Sequence, residues 1–143
     1  MARFLLSAPP PTAARHRVRV GYVDTDKAGV VHHATYLAYL EAARIEMLRQ
    51  NGFDYRAFEL ETGLALPVVE VRMRYRAPAR FDDVLEIETW APIASRAKIV
   101  FDARIRRRTE LLHESSVVLA CVNMAEGRAV SIPESVARAC APR

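Results

Sequence analysis

The chain has 143 residues, the size of one ordinary domain, so a single site has to carry whatever the protein does. Hydrophobic residues make up 51% and charged residues 27%, a globular composition that excludes disordered and collagen-like classes. Lys and Arg number 21 against 17 Asp and Glu, a formal charge of +4. Spread along the chain, that excess fits contact with phosphate groups better than a nucleic-acid stripe.

Residues 1–14 read as a flexible leader. Their apolar start is shorter than the roughly 7 to 15 residues of a signal-peptide core, and Pro9-Pro10-Pro11 ends any helix. Residues 16–22 alternate Val18, Val20 and Tyr22 with Arg17, Arg19 and Gly21, the period of a half-buried strand. A polar, turn-rich stretch follows, and then residues 34–50 run without Gly or Pro. Tyr36, Leu40, Ala43 and Met47, with Leu37 and Leu48 alongside, give this segment one apolar helical face, and Asn51-Gly52 stops it. Asp54 caps a short second helix that Gly63 closes.

From there the chain reads as strand: residues 69–76, 84–90, 99–106 and 111–124 alternate in the same style, before a final short helix over 133–139. The order is an α+β one: an antiparallel five-stranded sheet wrapped around one long central helix, in a single domain over residues 15–143. One helix covers only part of such a sheet, so a homodimer or homotetramer is expected. The longest apolar run beyond the leader, residues 117–122, has six residues, far short of the ~20 of a membrane helix, so no membrane span is expected. Cys121 and Cys140 fit a reduced pair in a cytoplasmic protein.

The chemistry concentrates in Tyr22-Val23-Asp24-Thr25-Asp26-Lys27-Ala28-Gly29-Val30-Val31-His32-His33-Ala34-Thr35-Tyr36. Two carboxylates and two imidazoles fall between a strand end and a helix start. Unpaired N–H groups and the partial positive charge of a helix N-terminus suit an oxyanion developing on a carbonyl. A nearby carboxylate either attacks that carbonyl or activates a water that does. Gly29 lets the loop adopt a positive φ or approach a ligand closely.

Asp24-Thr25-Asp26, Gly29-Val30-Val31, His33, Tyr36 and Tyr39-Leu40-Glu41-Ala42-Ala43-Arg44 together resemble the signature of hotdog-fold acyl-CoA thioesterases. The likeness is to the 4-hydroxybenzoyl-CoA thioesterase family, and within it to the Tol-Pal-associated branch acting on short acyl-CoA. The resemblance implies that Asp26 is the catalytic carboxylate and that the backbone N–H of His33 polarises the carbonyl. It also implies a site at a dimer interface, with Arg96 and Lys98 meeting the phosphates of coenzyme A. The sequence departs from the commoner family pattern at His32, where relatives often carry an aromatic residue. No cofactor is needed, and the substrate is an acyl-CoA or an acyl group on acyl carrier protein. Two rivals are a non-catalytic hotdog module that binds such acyl groups and a hotdog dehydratase, whose motif is absent.

Other readings of the same residues are plainer. Asp24 is assigned to capping a turn. Asp24, Asp26, His32 and His33 make a poor metal site, because adjacent histidines rarely converge on one ion and the helical His-x-x-x-His spacing is missing. Cys121 belongs to the core. Glu41 and Arg44, three apart on the helix, read as a structural pair. Arg72, Arg74 and Arg76, with Arg104, Arg106 and Arg108, are expected to form cross-strand ion pairs with Glu70, Glu86, Glu88 and Asp102, with no nucleic-acid partner.

Overall fold

The computed structural model describes residues 6–140. In chain order the elements are β1 (Ala14–Arg19), a 3-10 turn (Tyr22–Asp24), α1 (Thr35–Gln50), α2 (Tyr55–Thr62), β2 (Leu64–Ala65), β3 (Val68–Tyr75), β4 (Val84–Ala94), β5 (Ile99–Arg107), β6 (Glu110–Leu119), β7 (Cys121–Asn123), β8 (Arg128–Val130) and α3 (Glu134–Cys140). Five strands form an antiparallel sheet in the order β1-β4-β5-β6-β3. The expected α+β hotdog architecture is therefore present, and a three-stranded sheet β2-β7-β8 is added to it.

The core is a band of apolar side chains between α1 and the concave face of the sheet. At the N-terminal end of α1, Tyr36, Leu40 and Ala43 pack with Leu85, Ile87 and Ile105. At its C-terminal end, Met47 and Leu48 pack with Phe101, Val117 and Leu119. The expected helical stripe is thus the buried one, except for Leu37, which stays 40% exposed. Leu37 follows Tyr36 by one residue and so projects away from that stripe. Asp54 Oδ1 accepts the Ala57 N–H at 3.0 Å, and Gly63 closes α2 with φ of +68°; both helix-ending signals act as read.

Some boundaries differ from the sequence reading. The first strand ends at Arg19, and Tyr22 is 77% exposed rather than inward-facing, because the Asp24 carboxylate takes the Gly21 N–H at 2.8 Å and coils residues 22–24. The expected strand over 111–124 divides at Ala120, whose N–H leaves the ladder for the Pro67 carbonyl at 3.1 Å. Strands β2 and β8, of two and three residues, are too short to carry a period. Of the leader, residues 1–5 lie outside the described residues. Ser7 donates to Asp102 Oδ2 from N at 3.1 Å and from Oγ at 2.8 Å, and its Oγ accepts from Trp90 Nε1 at 2.7 Å.

The convex face carries charges that alternate across the strands. The register sets Arg74, Glu114, Arg104, Glu88 and Arg15 in one row. Glu114 meets Arg76 at 2.6 Å and Arg104 at 3.6 Å, while Glu88 meets Arg15 at 3.5 Å and Arg106 at 3.7 Å. Glu86 meets Arg15 at 2.6 Å. The arginine stripes are therefore neutralised across strands in part: among the described residues Glu70 and Arg72 make no ion pair within 4.0 Å, and two more of the expected set depart from it. Asp102 is held by Ser7, and Arg108 sits in a turn with φ of +56° rather than on the strand face.

One inward-facing residue is out of keeping with the core. His113 is fully buried, and neither ring nitrogen has a hydrogen-bond partner among the described residues; Thr89 Oγ1 and Ser115 Oγ are likewise unpartnered. Burial pushes the His113 imidazole down to about 4, against the weaker opposing pull of Glu114. The unfolded chain takes up this proton near pH 6.5, whereas the folded chain does so only near 4. Stability is therefore lost as pH falls from 6.5 to 4, by roughly 3 kcal/mol at most. Urea unfolding across that range is expected to show the decline, and His113→Leu is expected to flatten it.

Candidate active site

The loop between β1 and α1 folds back on itself as a short hairpin. Thr25 bridges Val31, the Asp26 N–H donates to the Val30 carbonyl at 2.9 Å, and the Gly29 N–H donates to the Asp26 carbonyl at 2.9 Å. Gly29 sits at the turn with φ of +83°, a conformation that costs an L side chain but not glycine. The hairpin is stitched to the loop between β3 and β4, where Val31 N–H meets the Ala79 carbonyl at 2.8 Å. In this way Asp26 and His33, seven residues apart, come to lie on one exposed loop at the N-terminal end of α1.

Asp24 and Asp26 have separate tasks. Asp24 Oδ2 accepts two bonds, from Gly21 N–H and from the Tyr39 hydroxyl, each 2.8 Å. It ties the loop to α1, as the turn-capping reading expects, and is spent on structure. Tyr39 is held protonated, its phenol raised first by burial and then by the Asp24 carboxylate. Asp26 is exposed, and among the described residues only its Oδ1 is engaged, by the Ala28 N–H at 2.8 Å. That bond fixes the carboxylate's direction and leaves one oxygen for chemistry.

The helix start is equally sparing with its donors. Ala34 stands at the N-cap, with no side chain able to cap, and no acidic residue occupies the first turn. The Ala34 N–H goes to His32 Nδ1 at 3.2 Å and the Thr35 N–H to the His32 carbonyl at 2.9 Å. Among the described residues nothing accepts the His33 N–H, which remains at the positive end of the helix dipole. The His32 and His33 rings stack at 4.3 Å, and among the described residues neither imidazole hydrogen-bonds to Asp26. With Asp24 spent on Gly21 and Tyr39, the four residues weighed as metal ligands do not converge; no group of three or more potential metal-binding side chains occurs among the described residues.

Arg96 and Lys98 are not brought to this site within one chain. They lie in the turn between β4 and β5, organised by Ser95 Oγ, which accepts from Lys98 N at 3.2 Å. The Asp26 hairpin is held by Ala79 and Arg80 in the loop that leads into the other end of β4, so the 11-residue strand separates them by about 30 Å. Glu41 and Arg44 make no ion pair within 4.0 Å among the described residues. Arg44 is buried at 8% exposure, and burial lowers its guanidinium below the ordinary value, against a weaker opposing pull from Glu41. They line a cavity of about 300 Å³ with Leu48, Leu66, Phe101 and Leu119. Cys121 is buried as expected, its thiol raised by burial.

Two site residues escape the sequence reading. Tyr39 belongs to the quoted motif but had no assigned role, and Tyr75 read only as one apolar member of an alternating strand. The Tyr75 hydroxyl donates to the His33 carbonyl at 2.7 Å. Forty-two residues separate the pair, so no local pattern announces the contact.

Comparison with known proteins agrees with this geometry. The model of the thioesterase-like superfamily matches residues 18–140. The chain belongs to that superfamily. It is 40% identical over 126 residues to the acyl-CoA thioester hydrolase YbgC of Escherichia coli, covering 87% of this chain and 93% of the relative. A protein of Thermus thermophilus, TT1821, has the same fold with a TM-score of 0.81 and 39% identity, over 88% of this chain and 95% of that one. A 4-hydroxybenzoyl-CoA thioesterase, solved with 4-hydroxybenzoyl-CoA bound, superposes with a TM-score of 0.82 at 24% identity, over 91% and 99% of the two chains, a likeness of fold. Asp24→Ala removes the acceptor of two bonds, and a charged acceptor contributes about 1.5–3 kcal/mol per bond. Thermal unfolding is expected to show a clear fall in Tm for this variant, matched in part by Tyr39→Phe.

Proposed function

We propose that this protein hydrolyses the thioester of a short-chain aliphatic or aromatic acyl-CoA to the free acid and coenzyme A. The observation that carries the reading is the pairing of a half-committed carboxylate, Asp26, with the uncommitted N–H of His33 at a helix start. Its 40% identity to an Escherichia coli protein named an acyl-CoA thioester hydrolase supports the same substrate class.

In this mechanism the thioester carbonyl accepts a hydrogen bond from the His33 N–H, and Asp26 acts on the carbonyl carbon. As general base, Asp26 takes a proton from water while the water oxygen bonds to carbon; as nucleophile, its free oxygen bonds to carbon directly. Negative charge gathers on the carbonyl oxygen, where the His33 N–H and the helix dipole stabilise it. The C–S bond then breaks and the departing thiolate takes its proton from solvent; on the nucleophilic route the resulting Asp26–acyl anhydride is next cleaved by water, which releases the free acid and restores the carboxylate. A thiol with a pKa near about 8.5 leaves without a strong general acid, which is consistent with a site holding no other committed acid. Incorporation of labelled solvent oxygen into Asp26 separates the two routes.

The assembly follows from the sheet. Strand β3 is an edge, and Val68, Val69, Val71 and Tyr75 along it are exposed. An unpaired apolar edge of this kind favours pairing with a second copy. Antiparallel pairing of β3 with its counterpart carries the β4–β5 turn of one subunit toward the Asp26 end of the other, which is the arrangement in which Arg96 and Lys98 serve coenzyme A phosphates. A cytoplasmic location is the reading that two buried free cysteines favour.

Thiol release from acetyl, butyryl, hexanoyl, palmitoyl, benzoyl and 4-hydroxybenzoyl CoA, with wild type beside Asp26→Asn, tests the activity. The variant is expected to lose at least about 100-fold in turnover while remaining folded; turnover within threefold of wild type refutes the assignment. Binding of acyl-CoA without thiol release moves the reading to a binding module. Light scattering is expected to show a dimer or tetramer at micromolar concentration, and Val71→Lys on the β3 edge is expected to shift it toward monomer.

A further inference from the structure

The hydroxyl of Tyr75 reaches the peptide segment that presents the oxyanion donor. It donates to the His33 carbonyl at 2.7 Å, while the next N–H along, that of Ala34, is taken by His32 Nδ1. Those two bonds fix the His33–Ala34 peptide, the unit that follows the free N–H, while the preceding unit, which carries that N–H, is held through its His32 carbonyl by the Thr35 N–H at 2.9 Å.

The Tyr75 ring is itself clamped. It stands edge-on to Tyr36, with centroids 5.3 Å apart at 86°, and edge-on to His113, 4.8 Å at 84°. Tyr36 and His113 lie face to face, 4.6 Å apart at 5°. Edge-to-face contacts of this kind have preferred geometry, so the ring has one direction in which to deliver its hydroxyl. Tyr75 is 46% exposed in the single chain, so burial within the chain does not by itself oblige its hydroxyl to find a partner. The clamp, rather than a need for satisfaction, is what sends the phenol to His33. The His113 clamp also gives a purpose to a buried imidazole that makes no hydrogen bond of its own.

From these contacts we infer that Tyr75 is a positioning residue for the oxyanion donor, holding the His33 carbonyl and through it the backbone torsions of His33, so that the N–H on the other side of that residue meets the thioester. The inference rests on the thioesterase reading for its kinetic consequence but not for its structural one. Tyr75 does not touch the reacting atoms in this scheme; it acts through His33. A small misalignment of a preorganised donor is costly to the rate and nearly neutral to ground-state binding.

The test compares wild type, Tyr75→Phe and Tyr75→Leu, by steady-state kinetics on the best acyl-CoA of the panel and by amide hydrogen exchange over residues 32–36. Tyr75→Phe keeps the ring and is expected to lower kcat about 10- to 100-fold with KM within about twofold. It is also expected to speed exchange of the 32–36 amides at least about threefold, with Tm close to wild type. Tyr75→Leu removes the clamp partner and is expected to add a fall in Tm. If kcat of Tyr75→Phe stays within twofold of wild type, the positioning role is overturned. If kcat falls while exchange is unchanged, the hydroxyl acts elsewhere, and the role is again overturned. If wild type hydrolyses none of the panel, the thioesterase reading fails by itself; faster exchange in Tyr75→Phe then still supports the hold on His33, and unchanged exchange still overturns it.

Discussion

Burial of the apolar stripe of α1 against the concave face of the sheet is the constraint on which the remaining geometry rests. Tyr36, Leu40 and Ala43 at one end and Met47 and Leu48 at the other join two halves of one core. A single helix cannot be turned about its axis without exposing that stripe, so its N-terminus is fixed relative to β4, β5 and β6. The loop that carries Asp26 and His33 inherits its position from this packing. Asp24 then couples the two, because its carboxylate joins the loop backbone at Gly21 to the helix through the Tyr39 hydroxyl.

The site that results is economical. It is built mainly from backbone: a hairpin that aims one carboxylate oxygen, and a helix start left uncapped because Ala34 offers no side chain. At an ordinary helix N-terminus a Ser, Thr or Asp satisfies the orphan donors and gains about 1 kcal/mol. Leaving the position to alanine gives up that stabilisation at the first turn, while the His33 N–H lies one residue before the cap, beyond the N2 and N3 amides that a cap side chain would take. The same trade occurs in the core, where His113 forgoes hydrogen bonds to stack against Tyr36 and Tyr75.

On the convex side the charge distribution answers a different requirement. Rows of arginine and glutamate alternate across four strands and neutralise one another, which gives the sheet a polar outer face despite its many guanidinium groups. Because pairing is cross-strand, its partners were only partly legible. Glu86 and Glu88 were expected and do pair, whereas Glu114, the acidic hub between Arg76 and Arg104, went unremarked, and Asp102 turned out to serve Ser7.

Local chemistry is what a sequence encodes most directly, and here it determined the long helix, the Asp54 and Gly63 caps, the alternating strands and the Asp26-to-His33 segment. Each of these depends on residues within a few positions of one another, where periodicity and backbone preference leave a readable pattern. Tertiary structure alone decided which charges meet, that the 111–124 run breaks at Ala120, that Arg96 and Lys98 lie a strand's length from Asp26, and that Tyr75 reaches His33. Those outcomes depend on strand order and register, in which partners dozens of residues apart are brought together by the packing of the whole sheet around one helix.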